Sequence, residues 1–166
     1  VFFACENDPE EVEKYNQEKR YPVQSGKNVE ILYSTKGRIK FKLKAPVLDQ
    51  YTGEEPYREM PEGVHIQVYD SLMQLTSELT ANYAIDKEYE EVMEAKEDVV
   101  LINNKGEKLN TEHLVWNQQT DEITSDVFVK ITTEDQILMG EGLVANPDFT
   151  EYKILEPRGV INIDDD

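Results

Sequence analysis

Cysteine is all but missing from this chain. Cys5 is the only one, so no internal disulfide can form and no cysteine cage for zinc is available. Histidine is nearly as scarce: His65 and His113 stand far apart, without Cys or Glu companions at metal-ligand spacing, and no cofactor is implied. No run reaches the ~18–20 apolar residues that a membrane span requires. Cations are few, 17 against 35 acidic residues, giving a formal net charge of −18. Nucleic-acid binding rests on cationic neutralisation of phosphates, so no nucleic-acid partner is expected. The acidity by itself reads as solubility. The G-x-S-x-G elbow, the P-loop, the G-x-G-x-x-G loop and the CxxC pair are all absent, so nothing points to an enzyme. Carboxylates are too numerous for abundance to single out a catalytic pair.

What the chain does have is a repeat. Leu, any residue, a small residue, two of any kind, then Leu or Ala occurs four times. The copies run Leu43-x-Ala45-x-x-Leu48, Leu79-x-Ala81-x-x-Ala84, Leu109-x-Thr111-x-x-Leu114 and Leu138-x-Gly140-x-x-Leu143. Their first leucines are 36, 30 and 29 residues apart, a near-regular period that signals one supersecondary unit copied along the chain. Each copy follows an alternating β-branched run: Val29/Ile31/Tyr33, Val64/Ile66/Val68, Val99/Leu101 and Val127/Val129/Ile131. Period-two alternation gives a strand one apolar face. The unit is a β-hairpin, and since one hairpin cannot bury that face alone, the copies must cover one another.

The N-terminus is organised differently. Val1–Ala4 is apolar, Cys5 follows, and Glu6–Glu11 turns abruptly acidic. An apolar run ending in a small residue before Cys resembles the lipobox of a bacterial lipoprotein signal, although Phe2 sits where Leu is usual. On that reading residues 1–24 comprise a signal stub, a lipidated Cys5 and an acidic tether. The bland alternative is a short apolar N-terminus with an unremarkable thiol. Residues 25–163 make the β domain, and Asp164–Asp166 an acidic disordered tail without the Gly and terminal Glu of a calcium loop.

Along the domain, Val29–Thr35 is expected to pair with Arg38–Ala45 around Lys36-Gly37. There Ile39, Phe41, Leu43 and Ala45 alternate with Arg38, Lys40, Lys42 and Lys44, giving one apolar and one basic face. The lysines read as a solvated outer face, with phosphate contact as the alternative. Pro46 suggests a strand end or an edge, and Asp49–Gly63 the longest irregular stretch. Val64–Tyr69 turns at Asp70-Ser71 and returns through Leu79 to Tyr83. Asp86–Glu97 contains good helix formers, but the repeat context favours strand. Asn103–Gly106 and Thr133–Asp135 turn the third and fourth hairpins, and Asn146–Asp148 precedes the last strand, Glu151–Leu155. His65 faces outward, and Trp116 either stacks a ligand or packs the core. Glu112 and Glu141, at equivalent repeat positions, read as an exposed rung.

Three stretches together carry a resemblance: Asp98–Asn117 (DVVLINNKGEKLNTEHLVWN), Ile123–Ile131 (ITSDVFVKI) and Ile137–Asp148 (ILMGEGLVANPD). In this order they resemble LptC, the periplasmic component of the lipopolysaccharide export transporter. The likeness covers about residues 25–161 and is strongest from Ala95 to Gly159. It implies an all-β fold, an open antiparallel β-jelly roll built from the repeated hairpins. It also implies a relay that takes lipopolysaccharide or lipooligosaccharide from the inner-membrane ABC transporter and passes it to a periplasmic bridge protein. The better-known members keep an uncleaved transmembrane helix, whereas this chain is expected to be held at the inner membrane, in the periplasm, through lipid on Cys5. No catalytic residues carry over. What transfers is a class of position, the apolar inward parity: Ile39, Phe41, Leu43, Val64, Ile66, Val68, Val99, Leu101, Val127, Val129 and Ile131 as the wall of an apolar trough. The C-terminal strands are expected to meet the bridge protein, with Tyr152, Lys153 and Ile154 on the partner edge. The other reading is a surface-anchored lipoprotein jelly roll that binds carbohydrate or another protein, a class that usually displays clustered exposed aromatics.

Overall fold

The computed structural model describes residues 21–163. Cys5, the acidic tether up to residue 20 and the tail Asp164–Asp166 lie outside the described residues. Within them the chain is all β, eleven antiparallel strands in one sheet. The first hairpin pairs β1 (Gln24–Thr35) with β2 (Arg38–Tyr51) around Lys36 and Gly37, both at positive φ. Then come β3 (Tyr57–Met60), β4 (Val64–Tyr69), β5 (Leu75–Ala81) and β6 (Tyr83–Lys87). The long strands β7 (Val92–Asn103), β8 (Lys108–Asn117), β9 (Glu122–Thr132), β10 (Gln136–Ala145) and β11 (Tyr152–Asn162) follow as a meander.

Two strands serve both halves of the molecule. β2 pairs with β4 through Phe41–Lys44 and with β3 through Asp49–Tyr51. β7 pairs with β6 through Val92–Lys96 and with β5 through Val100–Asn103. Because β3 also pairs with β6, and β4 with β5, the hydrogen bonding closes a ring β2-β4-β5-β7-β6-β3. Beyond that ring β1 pairs only with β2 and β11 only with β10, leaving two free edges among the described residues. The result is a jelly roll closed along one side and open along the other.

The repeat marks where the sheet folds over. In a regular strand two inward residues are separated by an even number of positions, yet each copy places its third residue three after the small one. Leu43, Ala45, Leu79, Ala81, Ala84, Leu109, Thr111, Leu114, Gly140 and Leu143 are all buried, and Leu48 and Leu138 pack against the core. An odd step between inward residues goes with a β-bulge or a break, and the last three copies have one, while in the first β2 runs on and instead changes partner from β4 to β3. β5 breaks at Asn82, the β8–β9 register slips between Thr111 and Val115, and the β9–β10 register slips between Glu141 and Leu143. In β2 the first pairing passes over Pro46 and over Asn28, which has φ 50°. On the neighbouring β7, Glu97 and Asp98 both take positive φ, and the Asn82 N–H donates to the Glu97 carbonyl at 2.9 Å. At the same fold line Gly63 has φ 98°, and a Cβ there would lie 2.7 Å from the Ala81 carbonyl oxygen, so only glycine fits.

Three expectations need correction. Pro46 does not end its strand: β2 continues to Tyr51, because between Ala45 and Leu48 it pairs with β1 alone and few ladder donors are needed there. Asp49–Gly63 is not one irregular stretch, since β2 extends into it and β3 forms inside it. The return strand of the second unit does not run through to Tyr83 but breaks at Asn82 into β5 and β6. Asp86–Glu97 is strand as expected, with a turn at Glu88–Glu91 inside it. Buried residues alternate on each strand, Ala84 and Asp86 on β6 and Met93 and Ala95 on β7, and that burial outweighs helix propensity.

Candidate functional site

Between the two folded halves lies a cavity of about 570 Å³, within the range of small-ligand sites. Its walls come from both halves: Phe41, Ile66, Val68, Leu79 and Leu101 on one side, Met93, Leu114 and Ile123 on the other. Its mouth is framed by turns. Thr35 and Lys40 flank the β1–β2 turn, Tyr69–Ser71 sit at the β4–β5 turn, Gln118 and Asp121 at the β8–β9 turn, and Asn146–Asp148 follow β10. Apolar walls under a polar rim suit a ligand with an alkyl body and a hydrated end. Each methylene withdrawn from water contributes about 0.8 kcal/mol, so such a site needs little directional chemistry.

Three aromatic rings cross the space from one half to the other. Tyr33 of β1 stacks on Phe41 of β2, centroids 4.9 Å apart and 13° from parallel. Phe41 then meets Trp116 of β8 edge to face, at 5.2 Å and 82°. The Trp116 side chain lines the cavity, while its Nε1 is buried away from solvent and has no hydrogen-bond partner among the described residues. A buried donor without an acceptor costs about 1–3 kcal/mol.

The loop after β10 seals the wall beside the mouth. Phe149 is fully buried and stacks on Tyr152 at 4.8 Å. The loop is also pinned across to β5 and β7. Thr76 Oγ1 donates to Asp148 Oδ1 at 3.0 Å, Ser77 Oγ to the Pro147 carbonyl at 2.9 Å, and Asn103 Nδ2 to the Phe149 carbonyl at 2.8 Å. Reading Asn146–Asp148 as a simple turn missed this. The available signal was polar Ser77 and Asn103 on the inward parity of their strands, where each needs a partner.

The proposed trough residues fall into three groups. Phe41, Ile66, Val68 and Leu101 line the cavity. Leu43, Val64, Val99, Val129 and Ile131 are buried in the packed core behind it. Ile39 is half-buried near the hairpin tip, and Val127 is half-buried outside the core cluster. Val127 has inward parity, but it lies on the stretch of β9 opposite the register slip, where the alternation loses its meaning. Sequence reasoning missed Leu79, Met93, Leu114 and Ile123, because cavity lining is decided by which inward residues face a void, and it left Trp116 open between ligand and core.

On the outer face, Lys42 and Lys44 both reach Glu30, at 3.2 and 3.6 Å, while among the described residues Lys40 is the one cation on the cavity lining. His65 faces outward, 3.7 Å from Glu78. His113 lies between Glu94 Oε2 at 3.3 Å and Asp126 Oδ1 at 3.2 Å. Burial works against the charge on Glu94, but hydrogen bonds from Lys96 and Lys87 outweigh it and hold its pKa down at about 2. Inside, Asp86 is buried and its carboxyl is pushed up by that burial, against the pull of Arg58 at 2.6 Å. Among the described residues no group of three His, Cys, Asp or Glu is placed to hold a metal.

At the partner edge, Tyr152, Lys153 and Ile154 open β11, opposite Ala145, Val144 and Leu143. Tyr152 and Ile154 turn inward onto the core, while Lys153 is exposed. The family model for lipopolysaccharide-assembly, LptC-related proteins matches residues 2–161. The chain belongs to the LptC family. None of the curated proteins compared with it matches. LptC membership makes this chain a transport component of the lipopolysaccharide export system, in a family that is periplasmic and associated with the inner membrane. The open jelly roll described above is consistent with an LptC-type domain.

Proposed function

We propose that this chain is the relay that takes lipopolysaccharide or lipooligosaccharide from the inner-membrane ABC transporter and hands it to the periplasmic bridge protein. The observation that carries the reading is the cavity of about 570 Å³, with apolar walls from both halves of a jelly roll whose two outer strands each keep a free edge among the described residues. Acyl chains enter between the halves, and the sugar and phosphate end stays at the rim. A neighbour's strand can add to a free edge through backbone hydrogen bonds and continue the apolar path from one molecule to the next. By family resemblance β11, beginning at Tyr152, Lys153 and Ile154, meets the bridge protein, and the β1 edge meets the transporter. Attachment is through lipid on Cys5.

Photo-crosslinkers at Phe41, Ile66 and Leu101 are expected to capture lipopolysaccharide during ATP-driven transport. Crosslinkers at Lys42 and Lys130, on the opposite parity, are not. Equal capture at both parities would rule the cavity out as the route. Mass spectrometry of the native protein tests the anchor separately: a diacyl or triacyl adduct on Cys5 is expected, and a bare thiol there would overturn lipid attachment.

A further inference from the structure

We infer that Trp116 is a specificity-determining residue whose indole N–H selects ligands with a carbonyl next to the hydrocarbon chain, as in an acyl ester or amide, over plain alkyl chains. The inference rests on the proposal that acyl chains enter the cavity, and it goes further by naming the polar group that is read there. Its starting point is an imbalance. The cavity walls are otherwise apolar where Trp116 stands, and Nε1 is buried without a nitrogen or oxygen acceptor among the described residues. An indole N–H is a donor only, so nothing but an acceptor satisfies it. The Phe41 ring, which meets the indole at 82°, carries no nitrogen or oxygen acceptor to offer it.

Position makes the donor useful. Trp116 lies near the end of β8, opposite Met93 on β7 and Ile123 on β9, and one residue pair from the β8–β9 turn at the mouth. A chain lying along the apolar walls would therefore have its polar junction at the level of the indole, with the rest of its head at the rim beside Lys40, Asp70, Asp121 and Asp148. As the rings stand Nε1 is closed off from the cavity, so the N–H meets the carbonyl oxygen of the linkage only where an entering chain parts Trp116 from its neighbours. A site built around an unpaired donor discriminates against ligands that lack the acceptor, because they leave that donor unpaired.

The test uses two uncharged lipids that differ only at the linkage: 1-monolauroyl glycerol, an ester, and 1-O-dodecyl glycerol, an ether. Affinity is read below the micellar concentration, by displacement of 1-N-phenylnaphthylamine from the folded protein. The wild type is expected to prefer the ester by about three- to tenfold, the discrimination one neutral hydrogen bond supports. Trp116→Phe keeps an aromatic ring against Phe41 and removes the donor, so it should bind both lipids equally. Phe41→Leu reshapes the same wall but keeps the donor, so it should weaken both while preserving the ratio. A readout on the unaltered protein removes any dependence on how the variants fold. Trp116 is the only tryptophan, so its single indole ¹H–¹⁵N resonance should move downfield with the ester and not with the ether. Equal affinities in the wild type, or an ester preference that survives Trp116→Phe, would overturn the assignment while leaving acyl binding intact. Displacement by neither lipid would overturn acyl binding itself, and the role of Trp116 with it.

Discussion

Glu94 shows how a single side chain ties the outer face of the sheet together. It stands on β7 and reaches Lys87 on β6, Lys96 on its own strand and His113 on β8. Its pKa is lowered from 4.5 to about 2, so the folded state holds its proton less tightly than the unfolded chain does. The stability it contributes is present in full above the unfolded value and is lost as pH falls from about 4.5 towards 2. Glu94→Gln should therefore flatten the loss of stability across that window, measured as the denaturation midpoint against pH. An unchanged slope would mean the ion pairs add nothing to folding. Asp86 works the other way, since burial raises its pKa and its ionised form is the costly one as pH rises. The half-buried Arg58 partner at 2.6 Å is what makes that charge tolerable at neutral pH. Phe149 is the residue-scale anchor of the cavity wall: Phe149→Ala should cost about 3–5 kcal/mol and release the loop after β10, seen as faster hydrogen exchange at Thr76 and Ser77.

Among the strands, β10 and β11 are the most informative. Gly140 is the small residue of the fourth repeat copy and sits where the β10–β11 register shifts. A Cβ there would run into the Glu156 carbonyl and the Ile154 side chain, so the two strands meet across a gap that only glycine leaves open. Gly140→Val should push β11 away and raise its amide exchange well before the ring around β2 and β7 loosens. β11 is also a free edge, and such edges are usually blunted. Here Pro157 does so part-way along, since it offers no donor, which leaves Tyr152–Glu156 as the stretch able to take another strand. Of two adjacent residues in an edge strand, one N–H points to the neighbouring strand and the next points outward. Lys153→Pro and Ile154→Pro should therefore separate: one weakens folding, the other leaves folding intact and abolishes bridge-protein capture. Capture that survives both would place that interface on another element.

Taken whole, the molecule owes its shape to two strands that pass between its halves and a line of bulges between their pairings. Much of this was legible in the chain. Alternation at Ile39–Ala45, Val64–Val68 and Val127–Ile131 marks strands because burial on a pleated sheet has period two, and Gly37 and Gly106 mark tight turns because their φ is positive. The four repeat copies and the three LptC-like stretches point to the fold and the family without coordinates. What only the tertiary structure decided was everything that depends on partners distant in sequence. The odd step inside a repeat copy becomes a bulge in the third and fourth copies, a break at Asn82 in the second and a change of partner along β2 in the first, according to what the neighbouring strands do at that level. Val127 leaves the core for that reason, although its parity is right. Asn146–Asp148 becomes a wall because Thr76, Ser77 and Asn103, some 45 to 70 residues away in the chain, bind across to it. The lining of the cavity, with the orphaned donor of Trp116, exists only where the two halves fail to fill the space between them. A pattern in one strand reports which face is buried, but not whether that face meets a side chain or a void.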